Sequence, residues 1–274
     1  MKATDVYRIT DQLDAHTLGV LETRLEARGR HPRFTAMIAD YLDAMGIDGA
    51  RTVLDVGCGT GVVARTIARR PGFGGRVTGI DMSPHLVDSA RRLAAAEGFA
   101  GVTDFHAGDS RGLRLPDASF DAVVAHTLIS HVDDPGAVLA ELARVVGPGG
   151  QVAVFDGDYA SLTFGTADPE RGRAMDEAII AAIVTNPRVM REMPQRLGEA
   201  GLEFAGVSAH VLAEVGAVDF WRAGIESFTT LLPKSGAATA ADAQAWADEV
   251  LGRSADGVFF GACNYYGYIA RRPL

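Results

Sequence analysis

Cysteine is nearly absent: Cys58 and Cys263 are the only two in 274 residues, far apart and without CxxC or histidine-rich spacing. That argues against a disulfide framework or a zinc cluster, and makes a reducing, cytoplasmic setting the expectation, with no metal in the site. Long apolar runs are also missing, none approaching the roughly 20 residues that a membrane-crossing helix needs. The N-terminal stretch MKATDVYRITDQLDAH is polar and has no apolar segment before a small-residue cleavage site, so neither a membrane partner nor a secretory leader is expected. Basic charge is in deficit, with 26 Lys and Arg against 35 Asp and Glu and a formal net charge of -9. Such a chain lacks the footprint of a nucleic-acid binder. Lysine is confined to Lys2 and Lys234, which excludes nothing chemical. No Ser/Pro-rich linker, low-complexity tract or internal repeat marks a domain boundary, and no pattern fixes an oligomeric state.

What is present suits one large α/β domain over residues 1–274: 47% hydrophobic and 22% charged residues in a chain of ordinary enzyme length. Phe34, Met37, Ile38, Tyr41, Leu42 and Met45 recur at helical spacing, so residues 1–50 read as N-terminal helices. From Arg51 the pattern becomes β-α-β-α, through RTVLDV, VARTIARR, RVTGID, HLVDSARRLAAAEG, GVTDFHAGD, FDAVVAHTL, PGAVLAELARVV and QVAVFDGD. This alternation predicts a Rossmann-like, mostly parallel sheet with helices on both faces, its core spanning residues 51–156. Residues 157–200 and 217–256 read as mainly helical insertions between the late strands GVSAHVLAEV and GVFFGACNYYGYIA. Thr239 is placed to cap the second of these intervals.

The strongest local feature is the strand and turn VLDVGCGTG at residues 53–61. Gly57, Gly59 and Gly61 permit a tight turn and close approach of the backbone to a ligand, although close packing of helix on strand also favours glycine. Asp81 follows Gly61 by about 20 residues at the end of the next strand, where an acidic side chain reaches a ribose diol. Ser83 and Pro84 already supply the cap and first turn of the following helix, which leaves Asp81 freer for a ligand. The glycines form GxGxG rather than GxGxxG, with Val62 at the discriminating position, and Asp55 sits awkwardly against a pyrophosphate. An ammonium-bearing ligand without phosphate, such as S-adenosyl-L-methionine, makes Asp55 intelligible.

Over residues 50–156 the sequence resembles the class I S-adenosylmethionine-dependent methyltransferases, in particular the small-molecule branch that includes ubiquinone/menaquinone-biosynthesis-like enzymes. VLDVGCGTG is similar to that family's first motif, GIDMSP to its second, and GDSRGLRLPDASFDAVVAHTLISHVDDPGAVLAELARVVGPGG to the rest of its core, with Gly147 standing where a charged residue is common. The resemblance implies a seven-stranded sheet with an antiparallel last strand. It implies that Asp55, Gly57, Gly59 and Gly61 hold the methionine part of the cofactor, that Asp81 takes the ribose hydroxyls, and that Met82 packs on the adenine. Asp109 and Ser110 would meet the adenine edge, residues 115–121 would lead into the fourth strand, and His126 would lie beside the sulfonium. The product would be S-adenosylhomocysteine.

Methyl transfer asks the protein to position an acceptor, exclude water and, where needed, remove a proton. His126 and His131 are the candidate general bases, each with a plain structural alternative. Asp156 and Asp158, read as lying just past the fifth strand, either face the acceptor or cap a turn. Tyr159, Phe164, Phe220, Trp221 and Phe228 are candidate walls of an apolar pocket for a small-molecule acceptor, or core. Asn264, Tyr265, Tyr266 and Tyr268 alternate along a strand, so only some would reach a pocket. The N-terminal helices and both insertions are expected to form a lid. The reading is methyl transfer to an O, N or C atom in secondary metabolism. A cyclisation or rearrangement on the same fold, an NAD-dependent oxidoreductase disfavoured by Val62 and Asp55, and a noncatalytic binding protein stand as alternatives.

Overall fold

The computed structural model describes residues 4–274. The short apolar runs become β1 (Thr52–Val56), β2 (Arg76–Asp81), β3 (Thr103–Ala107) and β4 (Phe120–His126), followed by a long β5 (Val146–Phe164). Successive side chains of a strand point to opposite faces. Val53 and Leu54 accordingly enter different cores, one on each side of the sheet. Both faces therefore need helices, which the connecting segments supply.

The first core holds α1 (Ala15–Arg30), α2 (Pro32–Ala44), α3 (Val62–Ala68) and α4 (Pro84–Ala96), with the late helices α6 (Pro169–Ile183), α8 (Arg222–Ser235) and α9 (Ala240–Ala255). The second core holds α5 (Pro135–Val145) and α7 (Met193–Glu199). Helices α2, α4, α5 and α6 share one start signal. Proline occupies the first turn, where its missing N–H costs nothing, behind a cap side chain that accepts a backbone N–H: His31, Ser83, Asp134 and Asp168. Thr239 caps α9 as its sequence predicts, accepting from the Asp242 N–H at 3.1 Å.

The sheet order is β3-β2-β1-β4-β5-β7-β6, with β6 (Glu203–Gly216) at one edge and β7 (Phe259–Arg271) antiparallel to both β5 and β6. The pairs among β1 to β5 are parallel. This is the expected Rossmann-like sheet with its antiparallel last strand. Strand order reverses between β1 and β4, which opens a crevice at their carboxyl ends.

One expectation needs correcting. The fifth strand continues to Phe164, so Asp156 and Asp158 lie within it rather than just past it, and Asp158, Tyr159 and Phe164 are sheet residues rather than parts of the insertion read over 157–200. Two carboxylates within three residues read as a loop, yet both are satisfied inside the fold. Asp156 pairs in register with Tyr266 and accepts the N–H groups of Ser130 and Gly157 at 3.0 and 2.8 Å. Asp158, opposite Asn264, is gripped by the Arg191 guanidinium at 2.8 to 3.0 Å.

Candidate active site

The β1 turn shows what its glycines are for. Gly57, Gly59 and Gly61 have φ of +72°, +52° and +79°, a region that side chains other than glycine enter at a cost. A Cβ on Gly57 would stand 2.8 Å from Leu128, and one on Gly61 2.9 Å from Phe105. Both glycines thus also serve packing. The Gly59 N–H donates to Asp81 Oδ2 at 2.8 Å, which folds the turn over the end of β2.

This turn forms one end of a large cavity over the carboxyl edge of the sheet, lined there by Asp55, Gly57, Gly59, Asp81, Met82, Asp109 and Ser110. Asp55 is buried; its Oδ2 accepts from the Ala64 N–H at 3.2 Å while Oδ1 has no partner among the described residues. Burial pushes its carboxyl up to about 7, against the Ala64 bond and with help from the charge of Asp81. Asp81 is less free than the sequence suggests, because its second oxygen accepts from the Ser83 N–H at 2.9 Å. Each oxygen still has a second lone pair. Burial raises its pKa too, opposed by these two bonds. Asp109 is engaged with the Arg111 side chain at 2.7 and 3.0 Å.

The two histidines differ. His126 ends β4, buried and stacked on Phe155 at 4.7 Å. Its Nδ1 lies 3.1 Å from the Tyr41 hydroxyl. Tyr41 has no other acceptor among the described residues, so its O–H donates to Nδ1 and the ring proton falls on Nε2, which is unpartnered. Burial, with the nearby positive charge of Arg28, depresses its pKa well below the ordinary value. His126 is therefore a neutral N–H donor and a poor base. His131 instead has Nδ1 3.1 Å from the buried carboxylate of Asp5, leaving Nε2 without a partner among the described residues. Burial acts to lower its pKa, but the charge and hydrogen bond of Asp5 more than reverse this, with Asp156 adding to them. Asp5 is fixed in turn by the Tyr7 N–H at 2.9 Å and the Thr185 hydroxyl at 3.0 Å. His131 lines the same cavity as Asp55.

The roof comes from the N-terminus. Tyr7, Arg24, Leu25, Arg28 and Gly29 line the cavity, while Ile183 of α6 closes it from the side. Helix α1 is tied to the glycine turn by the buried Glu26, whose Oε1 accepts from Thr60 Oγ1 and Arg65 Nη2, both at 2.6 Å. Thr127, directly after His126, holds φ +50°, rare for a β-branched residue. Its hydroxyl accepts from Arg28 at 3.0 Å and its N–H donates to the Phe155 carbonyl at 2.6 Å.

Of the residues expected to meet an acceptor, Tyr159 lines the main cavity, and Trp221 lines a small side chamber together with Tyr159, Phe220 and Phe228. Asp156 and Asp158 do not line either space, being committed to the backbone and to Arg191 as described above. Phe164 does not either: it packs edge-on to Trp221 and Trp246 at 5.6 and 5.3 Å, in the core. Sequence reasoning missed Asp5, Tyr7, Arg24 and Arg28. The arginines, four apart on one helix, were a readable signal; Asp5 was not, lying 126 residues from its partner. His31, Glu214 and Asp219 cluster as a cation site would, but Glu214 is spent on three backbone N–H groups of residues 219 to 221. No helix among the described residues is long and apolar enough to cross a membrane.

Comparison with known proteins agrees with this geometry. Residues 54–154 match the family model described as a methyltransferase domain. An O-methyltransferase of Pyrenophora dematioidea is 30% identical over 183 residues, 67% of this chain and 67% of that one. Another relative, 32% identical, is longer: the chain spans 65% of it. Among solved structures, a candidate methyltransferase of Bacillus halodurans C-125 superposes with a TM-score of 0.63 at 17% identity, over 86% of this chain and 99% of that one. The cyclase SpnF superposes with a TM-score of 0.59 at 21% identity, over 90% and 85%. At such identities the structural likeness shows the fold alone, but the sequence matches go further: the chain belongs to the class I S-adenosylmethionine-dependent methyltransferases.

Proposed function

We propose that this protein transfers a methyl group from S-adenosylmethionine to an oxygen of a small, partly apolar molecule, with His131 as general base. The observation that carries this reading is the His131–Asp5 pair facing the same cavity as the glycine turn and its unpartnered Asp55 oxygen. The cofactor supplies a methyl already activated on a sulfonium and leaves as S-adenosylhomocysteine. The residues present fit it. Asp55 Oδ1, buried and orphaned, suits the ammonium group, and the Gly57, Gly59 and Gly61 backbone lets the methionine part approach closely. Asp81 has lone pairs left for the ribose hydroxyls, Met82 offers an apolar face to the adenine, and Ser110 with Asp109 meets its edge. His126, whose Nε2–H is buried and unpartnered, lines the same cavity and offers a donor to the methionine end.

On the acceptor side, Asp5 holds the imidazole so that Nδ1 carries its proton and Nε2 is the basic site. His131 takes the proton of the attacking hydroxyl, and Asp5 stabilises the imidazolium that results. Helices α1, α6 and α8 act as the lid that keeps water out. Choice of oxygen is supported by the name of the Pyrenophora relative and by the presence of a base, which a nitrogen nucleophile needs less. A cytoplasmic setting fits two buried, unpaired cysteines, and a formal net charge of -9 fits a small-molecule partner rather than nucleic acid. The test is a mass-spectrometric screen of candidate metabolites with methyl-labelled cofactor. Labelled product with equimolar S-adenosylhomocysteine is the expected result; an altered product without label or S-adenosylhomocysteine would replace methyl transfer by a rearrangement.

A further inference from the structure

Two cations in the roof of the cavity have no carboxylate in ion-pair contact among the described residues. Arg24 is 8% exposed, and its Nη1 has no hydrogen-bond partner among the described residues. Its guanidinium is packed between the rings of Tyr7 and Phe228, 5.6 and 4.8 Å from their centres. Arg28, one turn further along α1, lies over Phe34 at 4.8 Å and donates to the neutral hydroxyl of Thr127. Neither forms an ion pair among the described residues, whereas Arg65 of α3, as deeply buried as Arg24, has two carboxylate partners. Aromatic faces favour a cation, yet they leave its in-plane N–H groups without acceptors. Both arginines line the main cavity and the side chamber, and the chamber holds a third unmatched donor, the buried Trp221 Nε1–H. A buried guanidinium without an anion is costly to keep. These donors are placed as a receptor for one.

We propose that the acceptor carries an oxyanion, a carboxylate or a phosphate, which seats between Arg24 and Arg28 with the Trp221 indole as a further donor. The inference rests on the reading of this cavity as the acceptor site. Two guanidinium groups on one helix face match the paired oxygens of such a group better than a point charge would. Tyr7 touches both partners of the arrangement, packing on His131 at 4.9 Å and beneath Arg24. The anchor therefore holds the rest of the acceptor beside the base. Tyr159, Tyr265 and Phe228 give the chamber an aromatic wall, so the anion is borne by an apolar, ring-sized body.

The whole chain saturated with S-adenosylhomocysteine is titrated calorimetrically with benzoate, phenyl phosphate and the neutral benzamide. One of the two anions should bind roughly tenfold or more tightly than benzamide, and which one leads tells carboxylate from phosphate. Arg24→Gln should abolish the preference while leaving S-adenosylhomocysteine affinity unchanged, and Arg24→Lys should keep only part of it. Benzamide binding as well as the anions, no anion binding at millimolar concentration, or a preference that survives Arg24→Gln would each overturn the proposal. If Arg24→Gln does not fold, the wild-type comparison decides alone. Failure of the protein to bind S-adenosylhomocysteine would sink the cofactor reading instead, and the same titration on the free protein would still decide the arginine site.

Discussion

The two ends of the cavity are electrostatic opposites. At the β1 and β2 end stand Asp55 and Asp81, both with pKa values raised by burial and one with an oxygen that has no partner among the described residues. At the roof stand Arg24 and Arg28, buried or half-buried cations without a carboxylate partner among the described residues. Each end is poorly stable alone, and each would be relieved by a ligand of opposite sign. The difference teaches that polarity is sorted along the cavity: carboxyl groups with spare acceptor atoms stand at the sheet edge, and guanidinium groups with spare donors on the N-terminal helix. The titrating imidazole, His131, belongs to the roof end and is oriented by a residue from the N-terminal segment.

The sharpest way to break this division is at the base. His131→Ala should lower kcat by about 10²- to 10⁴-fold with cofactor affinity nearly unchanged. In the intact enzyme kcat/KM should rise with pH through an apparent pKa above 6.5, the ordinary histidine value, and Asp5→Asn should move that inflection downward. An unmoved profile would remove Asp5 from its role as positioning residue. Next in size, Asp81→Ala should weaken S-adenosylhomocysteine binding by about 10- to 100-fold, through lost charged hydrogen bonds and a loosened Gly59 turn; unchanged affinity in calorimetry would count against the ribose assignment.

A smaller effect follows from Asp55. Its carboxyl is raised in the folded state from 3.8 to about 7, so the folded protein binds the proton more tightly than the unfolded chain does. Stability of the free protein from this group therefore falls as pH rises from about 4 to about 7. Cofactor affinity should move the other way, gaining about fivefold between pH 6 and pH 7 and levelling off near pH 8, as the carboxylate forms. Asp55→Asn should flatten both dependences, raising the melting temperature of the free protein at pH 8 while weakening cofactor binding. The least effect is expected at His126: as an N–H donor rather than a base, it should tolerate His126→Gln with kcat within about tenfold of wild type. A loss matching that of His131→Ala would show that the two histidines act together.

The glycine-turn end of the cavity was largely legible because its residues are local in sequence. Gly57, Gly59, Gly61 and Asp55 lie within seven residues of one another, and Asp81 one crossover away, so strand period and glycine spacing locate them together. The roof was not legible for the converse reason. Asp5 meets His131 only through the packing of the N-terminal segment on the β4–α5 connection, and Arg24 earns notice only once its lack of a partner is seen. Strand β5 shows a third kind of failure. Asp156 and Asp158 look like loop residues until Ser130 and Arg191 supply the bonds that let carboxylates lie inside a sheet. Phe164, read as a pocket wall, belongs to the core because the strand runs further than its polar residues suggest.

The buried knot of Glu26, Thr60 and Arg65 has a consequence for recombination between relatives. It fastens the helix that carries Arg24 and Arg28 to the glycine turn after β1, the two parts of the cavity proposed for acceptor and cofactor. A chimera that imports the first helix from another family member, hoping to trade one acceptor for another, also imports or destroys one side of this fastening. Specificity and cofactor binding are then inherited as a block, and a successful swap must carry residues 26, 60 and 65 as a matched set.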